Sequence, residues 1–529
     1  MKTPQSRLDP VALHLFHSRL AAVCDEMGAI LRNAAFSPNI RDRLDFSCAV
    51  FDAEGALCAQ AAHIPVHLGS MAYAMKGIVR RLSWAPGDQV IFNDPFLGGT
   101  HLPDVTLIAP LFVEGGLTGF VANRAHHADI GAATPGSMPV SSTLEEEGVI
   151  IEPVHLVREG RRDPAIWNWI LGATGDRRVA EGDLSAQLSA NRAGLERLGR
   201  LVSEQGRVAY LDGLAAVNDY GERLCAAMLE ELPEGEYRFR DVLDDDGQGR
   251  QSIEIVACVR IGDGRAEVDF TGTAAQVPGN VNCPLSVAAA AVHYVFRCLM
   301  PPQTPACAGT FRRIGLRAPE GCLLNARFPA AVAAGNVETS MRVVDVVMGA
   351  LAQAVPERVA AASCGSMNNL AMGTAAPGGW DYYETMGGGM GASHKAPGLD
   401  GVQTHMTNTL NTPVEVLEQR YPLRVVRYGL RRGSGGAGRH RGGDGLVREF
   451  EFLAEAEFTL LTERRRFAPW GLAGGCPGTR GRNLLNDVPL PPKCHRKVAP
   501  GDRLRIETPG GGGYGPPPQA RPCVESVES

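Results

Sequence analysis

Aromatic residues make up only 6% of this 529-residue chain, which weighs against the stacking platforms that single-stranded nucleic-acid binders use. Positive charge is not in excess. Lys and Arg number 52 against 58 Asp and Glu, a formal net charge of −6, so no basic surface for nucleic acid or anionic lipid is expected. The 13 cysteines contain no CxxC pair, and an odd, unpatterned set suggests reduced thiols in a cytoplasm. No run reaches the roughly 18 uncharged apolar residues of a membrane span. The best stretch, Leu285 to Met300, holds His293 and Arg297 and reads as a buried helix. Arg7, Asp9, Arg19 and Asp25 interrupt the N-terminal apolar pattern, unlike a signal peptide. There is no GxxxxGK[ST] loop, so ATP turnover by this chain alone is not expected. No HExxH pair occurs either.

What is present centres on residues 93 to 127. Asn93-Asp94-Pro95 and Gly98-Gly99-Thr100-His101-Leu102-Pro103-Asp104 lead into an apolar run, and Arg124-Ala125-His126-His127 closes the stretch. Pro103 keeps His101 and Asp104 off a common helical face. Val105 to Val113 and Leu117 to Asn123 read as strands joined at Glu114-Gly115-Gly116. A symmetric turn makes residues whose numbers sum to 230 face each other, so Val113 faces Leu117 and Asp104 faces His126. Opposed residues share a sheet face with Cβ atoms about 4.5–5.5 Å apart, which suits two ligands of one ion. His127 then points to the other face, and His101 can fold over the pair. Two imidazoles and a carboxylate with open positions suit a catalytic zinc, manganese or iron. A polar hairpin end with unrelated histidines fits the same spacing.

The remaining chain reads as mixed α/β (α+β), in several layers with antiparallel or mixed sheets. Asp9-Pro10 starts a helix through Leu13, Phe16, Leu20, Val23, Met27 and Leu31. A second helix is expected from Met71 to Leu82, a third from Leu184 to Gln205 capped by Gly182-Asp183, and a fourth from Arg207 to Glu231 broken near Gly213. Asp94 reads as a cap before Pro95. Of the acids Glu145-Glu146-Glu147, only Glu147 sits where it could turn inward. Asp244-Asp245-Asp246-Gly247 starts like an EF-hand, but Ile255 stands where a glutamate would complete it, so a solvated turn is expected. Gly433-Ser434-Gly435-Gly436-Ala437-Gly438 matches GxGxxG, yet Arg439-His440-Arg441 follows in place of a helix. These glycines are expected to serve tight turns and close backbone approach. Composition suggests a metal-bearing region 1–231, a strand-rich region 232–330, a glycine-rich region 331–518, and a disordered tail 519–529.

Several motifs together resemble the hydantoinase B/oxoprolinase family, including related subunits of ATP-dependent ketone carboxylases. They are Arg43-Leu44-Asp45-Phe46-Ser47, Asn93-Asp94-Pro95, Gly99 to Asp104, Glu147-Gly148-Val149-Ile150 and Gly182-Asp183-Leu184. Gly335-Asn336-Val337-Glu338-Thr339, His405-Met406-Thr407-Asn408-Thr409 and Thr508 to Gly515 complete the set. One departure is Gly433, where an aspartate is expected. The resemblance implies a cytoplasmic, metal-bearing subunit in a hetero-oligomer with a hydantoinase A-type ATP-binding partner, which carries ATP and Mg. Its implied chemistry is opening of hydantoin, lactam or 5-oxoproline-like rings. Ketone carboxylation and a non-catalytic scaffold are the alternatives. Its metal ligands map onto His101, Asp104 and His126, with Asp45 as a fourth candidate. Glu147 and His127 are the candidate catalytic groups.

Overall fold

A computed structural model describes residues 9–61, 63–374 and 379–518. The expected tail 519–529 lies outside the described residues. Helix α1 (Pro10–Ala34) begins as its sequence dictates: the Asp9 carboxylate accepts hydrogen bonds from Val11 N and Ala12 N, both at 2.9 Å. Its periodic residues Leu13, Phe16, Leu20, Val23, Met27 and Leu31 are all buried. Each such side chain contributes about 1.5–3 kcal/mol relative to exposure.

Seven strands form the sheet that carries the candidate site. They are β1 (Phe46–Phe51), β2 (Leu57–Gln60), β3 (Gln89–Phe92), β4 (Asp104–Val113), β5 (Gly116–His126), β6 (Val154–Arg158) and β7 (Arg161–Arg162). Their order is β2-β1-β5-β4-β3-β6-β7, with every neighbour antiparallel. One face packs on α1 and on the helices Arg177–Gln205 and Arg207–Glu230, through Met27, Val50, Val121 and Leu198. The other face packs on the helix Pro65–Arg81 through Met71, Met75, Ile108 and Phe120. That helix crosses Leu285–Leu299 so closely that a Cβ at Gly69 would sit 2.6 Å from Ala290 Cα.

The hairpin register holds where it matters. Asp104 faces His126, and the pairing expected from the symmetric turn persists as far as Leu111 opposite Gly119. A bulge between Leu111 and Phe112 then shifts the pairing, so Val113 faces Gly116 and not Leu117. The turn is correspondingly shorter, with Glu114 and Gly115 both at positive φ (53° and 76°).

Four other expectations need correction. The second helix begins at Pro65, six residues before Met71, because proline at the first helical position costs no hydrogen bond. The third begins at Arg177, capped by Asp176, so Asp183 lies inside it and caps Phe36 N and Ser37 N instead. The fourth runs unbroken past Gly213, where the missing side chain admits the Phe16 ring. The Asp244–Asp246 turn is not solvated: Asp244 and Asp246 are fully buried and accept hydrogen bonds from Arg465 N and Gly279 N respectively.

A four-stranded sheet within residues 232–330 (Gly235–Asp245, Gln251–Gly262, Arg265–Asp269 and Ile314–Arg317) mixes antiparallel and parallel pairs. Its core reaches beyond that span to Met341, Val344 and Val347 of the helix Ser340–Leu351, so the division at 232 and 330 is a proposal only. The last third holds two antiparallel sheets. Its glycine segments interleave backbone against backbone, as expected: a Cβ at Gly442 would lie 1.9 Å from Gly511 O. Eleven cysteines among the described residues are free thiols. No helix among the described residues is long and apolar enough to cross a membrane.

Candidate metal centre

Three elements bring the candidate ligands together. Asp104 opens β4 and His126 closes β5, so their backbones are paired. His101 comes from the preceding loop, which Arg124 ties down. The buried Arg124 donates to Gly98 O in that loop, to Thr106 Oγ1 on β4, and to Ser70 Oγ on the helix Pro65–Arg81. His101 Nε2 lies 3.3 Å, and His126 Nδ1 3.4 Å, from the same oxygen, Asp104 Oδ1. Among the described residues, these three alone form a metal-competent cluster, their ligand atoms lying within 4.8 Å of one another. All three are buried.

Hydrogen bonds around the three decide which atoms are free. His101 Nδ1 faces Ala333 O at 3.3 Å; a carbonyl only accepts, so Nδ1 carries the proton. Nε2 then faces a carboxylate oxygen and has no well-aligned hydrogen-bond partner among the described residues. Two lone pairs at 3.3 Å repel unless a proton or cation lies between them. Asp104 Oδ2 is already engaged by Thr100 Oγ1, by His67 Nε2 at 3.3 Å and by Asn336 Nδ2 at 3.4 Å. The carboxylate therefore offers Oδ1 alone. A tetrahedral ion with ligands at about 2.0–2.1 Å needs ligand atoms roughly 3.3–3.4 Å apart. The residues present fit a divalent ion. The cavity they line, with Asn336, Tyr383 and Met406, measures about 20 Å³ and suits one or two small groups.

Charge in the site is coupled to burial. Burial alone would depress His101, but Asp104 beside it raises its pKa above the ordinary value. Asp104 is desolvated, yet His101 and His67 hold its carboxyl well below the usual range. Burial lowers His126, whose ring stacks on Tyr383 at 4.7 Å and 10°. Asp45 lines the cavity, but Arg43 Nη2 stands 3.6 Å from its carboxylate, and it is not part of the cluster. Asp94 caps Phe96 N, as expected.

Glu147 does turn inward. Its Oε1 accepts from Ser141 Oγ, Val332 N and Ala333 N, so it supports the peptide that holds His101. Burial pushes it up to about 7, and its Oε2 has no partner. His127 lies on the opposite face, with Nε2 2.9 Å from Gln187 Oε1, in a separate cleft. His67 and Asn336 were not expected as site residues. Pro65 was the available signal for His67, since a helix starting there aims its first turn at Asp104. Nothing in the local spacing points to Asn336.

Residues 9–517 match the model of the hydantoinase B/oxoprolinase family. The chain belongs to that family. Among relatives, 5-oxoprolinase 1 of Arabidopsis thaliana is 38% identical over 97% of this chain, which spans only 42% of that protein's length. A protein of Pseudomonas sp. (strain NS671), provisionally named as the B component of a D-/L-hydantoinase, is 32% identical, covering 98% of this chain and 92% of its own. Among solved structures, the ATP-dependent caprolactamase of Pseudomonas jessenii superposes with a TM-score of 0.90 at 28% identity, covering 98% of this chain and 92% of its own. A nucleotide-free acetone carboxylase superposes at 0.87 with 18% identity over 97% of this chain and 77% of its own, a likeness of fold alone. The family motifs Gly99 to Asp104 and Gly335 to Thr339, distant in sequence, meet at this centre through the bond from Asn336 to Asp104.

Two outcomes follow from this geometry. His67→Leu removes a donor from Asp104 Oδ2 and should weaken divalent-ion affinity about 10–100-fold in a competition titration, with His67→Gln recovering part of it. Unchanged affinity in both variants contradicts the assigned support. For Glu147, the folded chain favours the neutral acid, so its stability falls as pH rises from the ordinary value of 4.5 through about 7. In the metal-free chain, urea denaturation should show Glu147→Gln gaining up to about 3 kcal/mol on the wild type across that window, and no further change below it. A pH-independent difference contradicts the assignment.

Proposed function

We propose that this chain is the metal-bearing subunit of an ATP-dependent cyclic-amide hydrolase, working with a separate ATP-binding subunit. The observation that carries the reading is the buried convergence of His101 Nε2 and His126 Nδ1 on one oxygen, Asp104 Oδ1, at 3.3 and 3.4 Å. It is supported by the relative named as a hydantoinase component and by the fold shared with a caprolactamase. It is also supported by the longer 5-oxoprolinases, such as the Arabidopsis protein of which this chain spans 42%. The ketone-carboxylase alternative has a fold likeness behind it, and the amide-hydrolase reading has the nearer relatives.

A ring amide resists water because resonance stabilises its C–N bond. Phosphorylation of the carbonyl oxygen on the partner would remove that resonance and create a leaving group. His101, Asp104 and His126 would hold zinc, manganese or iron, which as a Lewis acid lowers the pKa of bound water from about 15.7 to about 7. The chain's own residues do the rest. Thr100, His67 and Asn336 hold one oxygen of Asp104 so that the other faces the cavity. Ala333 O fixes the His101 tautomer, and Glu147 holds that peptide from behind. In this reading Glu147, titrating near 7, also stores a proton beside the site. Asp45 lines the cavity wall beside these residues, paired with Arg43, and His127 faces a separate cleft.

Replacing His126 by Ala should cut ring opening by about two orders of magnitude or more while ATP binding by the partner persists. The check is product formation by the co-purified complex on lactam, hydantoin and 5-oxoproline substrates. Ring opening at near wild-type rate by a folded, metal-free His126→Ala complex would contradict the proposal.

A further inference from the structure

Asn336 reaches the site from a tightly packed segment. It lies in a single π-helical turn, Gly335–Thr339, of the kind that re-aims side chains at functional positions. The turn is jammed in place. A Cβ on Gly335 would lie 1.8 Å from Asn282 O, and the Asn282 side chain is itself bonded to Val277 O, Gly279 O and Ala331 O.

The orientation of the Asn336 amide follows from chemistry. Its neighbour, Asp104 Oδ2, is held in a carboxylate that can only accept, so the NH₂ faces it at 3.4 Å. The carbonyl Oδ1 must then point elsewhere. It is buried, it has no donor among the described residues, and Asn336 lines the same small cavity as His101, Asp104 and His126. A buried acceptor left without a donor calls for one from outside the chain. The cavity volume of about 20 Å³ admits a water.

We propose that Asn336 is a positioning residue for the attacking water: its amide nitrogen is engaged by Asp104, and its Oδ1 accepts one hydrogen of the water that enters the cavity. This inference rests on the hydrolase reading above. Asn336 takes up no proton and forms no bond. It fixes the direction in which the water's lone pair points, while the ion ligands fix its place. The role is independent of pH, because an amide does not titrate in the working range.

The test has two arms. In the complex with the ATP-binding subunit, assayed with zinc or manganese in excess so that the ion site stays filled, Asn336→Ala should lower kcat for ring opening roughly 100-fold, with KM unchanged and more ATP consumed per ring opened. Unchanged kcat overturns the inference, and so does a kcat that added metal restores fully, which would reduce Asn336 to a support for Asp104. The second arm needs no variant that folds and no turnover. A high-resolution crystal structure of the wild-type chain loaded with zinc or manganese should show ordered solvent within hydrogen-bond distance of Asn336 Oδ1. A protein donor there, or no solvent, overturns the inference. A wild-type complex that opens no ring while its crystal shows that solvent overturns the hydrolase reading and with it the catalytic role of the water.

Discussion

The structure turns on one electrostatic conflict. A histidine nitrogen and a carboxylate oxygen are held 3.3 Å apart with a second imidazole at 3.4 Å, all of them buried, a spacing that requires a proton or a cation between them. Left alone, such a cluster is costly, because buried polar atoms without partners lose their hydration and gain nothing. The surrounding architecture makes the conflict harder to relax. Ala333 O removes the alternative tautomer of His101, and three donors fix the far oxygen of Asp104. A cation, or a proton held on His101, relieves it.

The supports come from across the sequence, and this explains the large, layered fold. The hairpin supplies Asp104 and His126, the helix Pro65–Arg81 supplies His67, and the turn Gly335–Thr339 supplies Asn336. Tyr383, under His126, arrives on a strand of another sheet and bonds Asn369 at 2.7 Å. Arg43 spans the same gap, donating to Tyr383 O and Thr385 Oγ1 and stacking over the Tyr383 ring. A centre assembled this way is rigid because each ligand is braced by an element it does not belong to.

The sequence made part of this legible, for identifiable reasons. Strand pairing has a period of two, so counting back from the Glu114-Gly115-Gly116 turn placed Asp104 opposite His126 and His127 on the other face. The bulge at Leu111 and Phe112 shifted the turn end of the hairpin without disturbing its ligand end. Helix starts were legible at Asp9-Pro10, Arg207 and Leu285, where the change of pattern was abrupt. At Asp176 a later signal, Gly182-Asp183, drew the boundary too far along the chain, and at Pro65 the helix starts six residues before the expected Met71. Contacts between distant segments carry no local periodicity, so His67 and Asn336 were invisible as partners of Asp104. The buried Asp244–Asp246 turn failed for the same reason: three acids in a row look solvated until Arg465 and Gly279 are seen lying over them.

The central claim is that His101, Asp104 and His126 hold one divalent ion, and elemental analysis of the purified chain tests it most directly. The wild type should carry about one zinc, manganese or iron per chain, and His101→Ala, while folded, should carry almost none. A folded, active wild type without any stoichiometric transition metal, or a His101→Ala chain that keeps its full complement, would contradict the account.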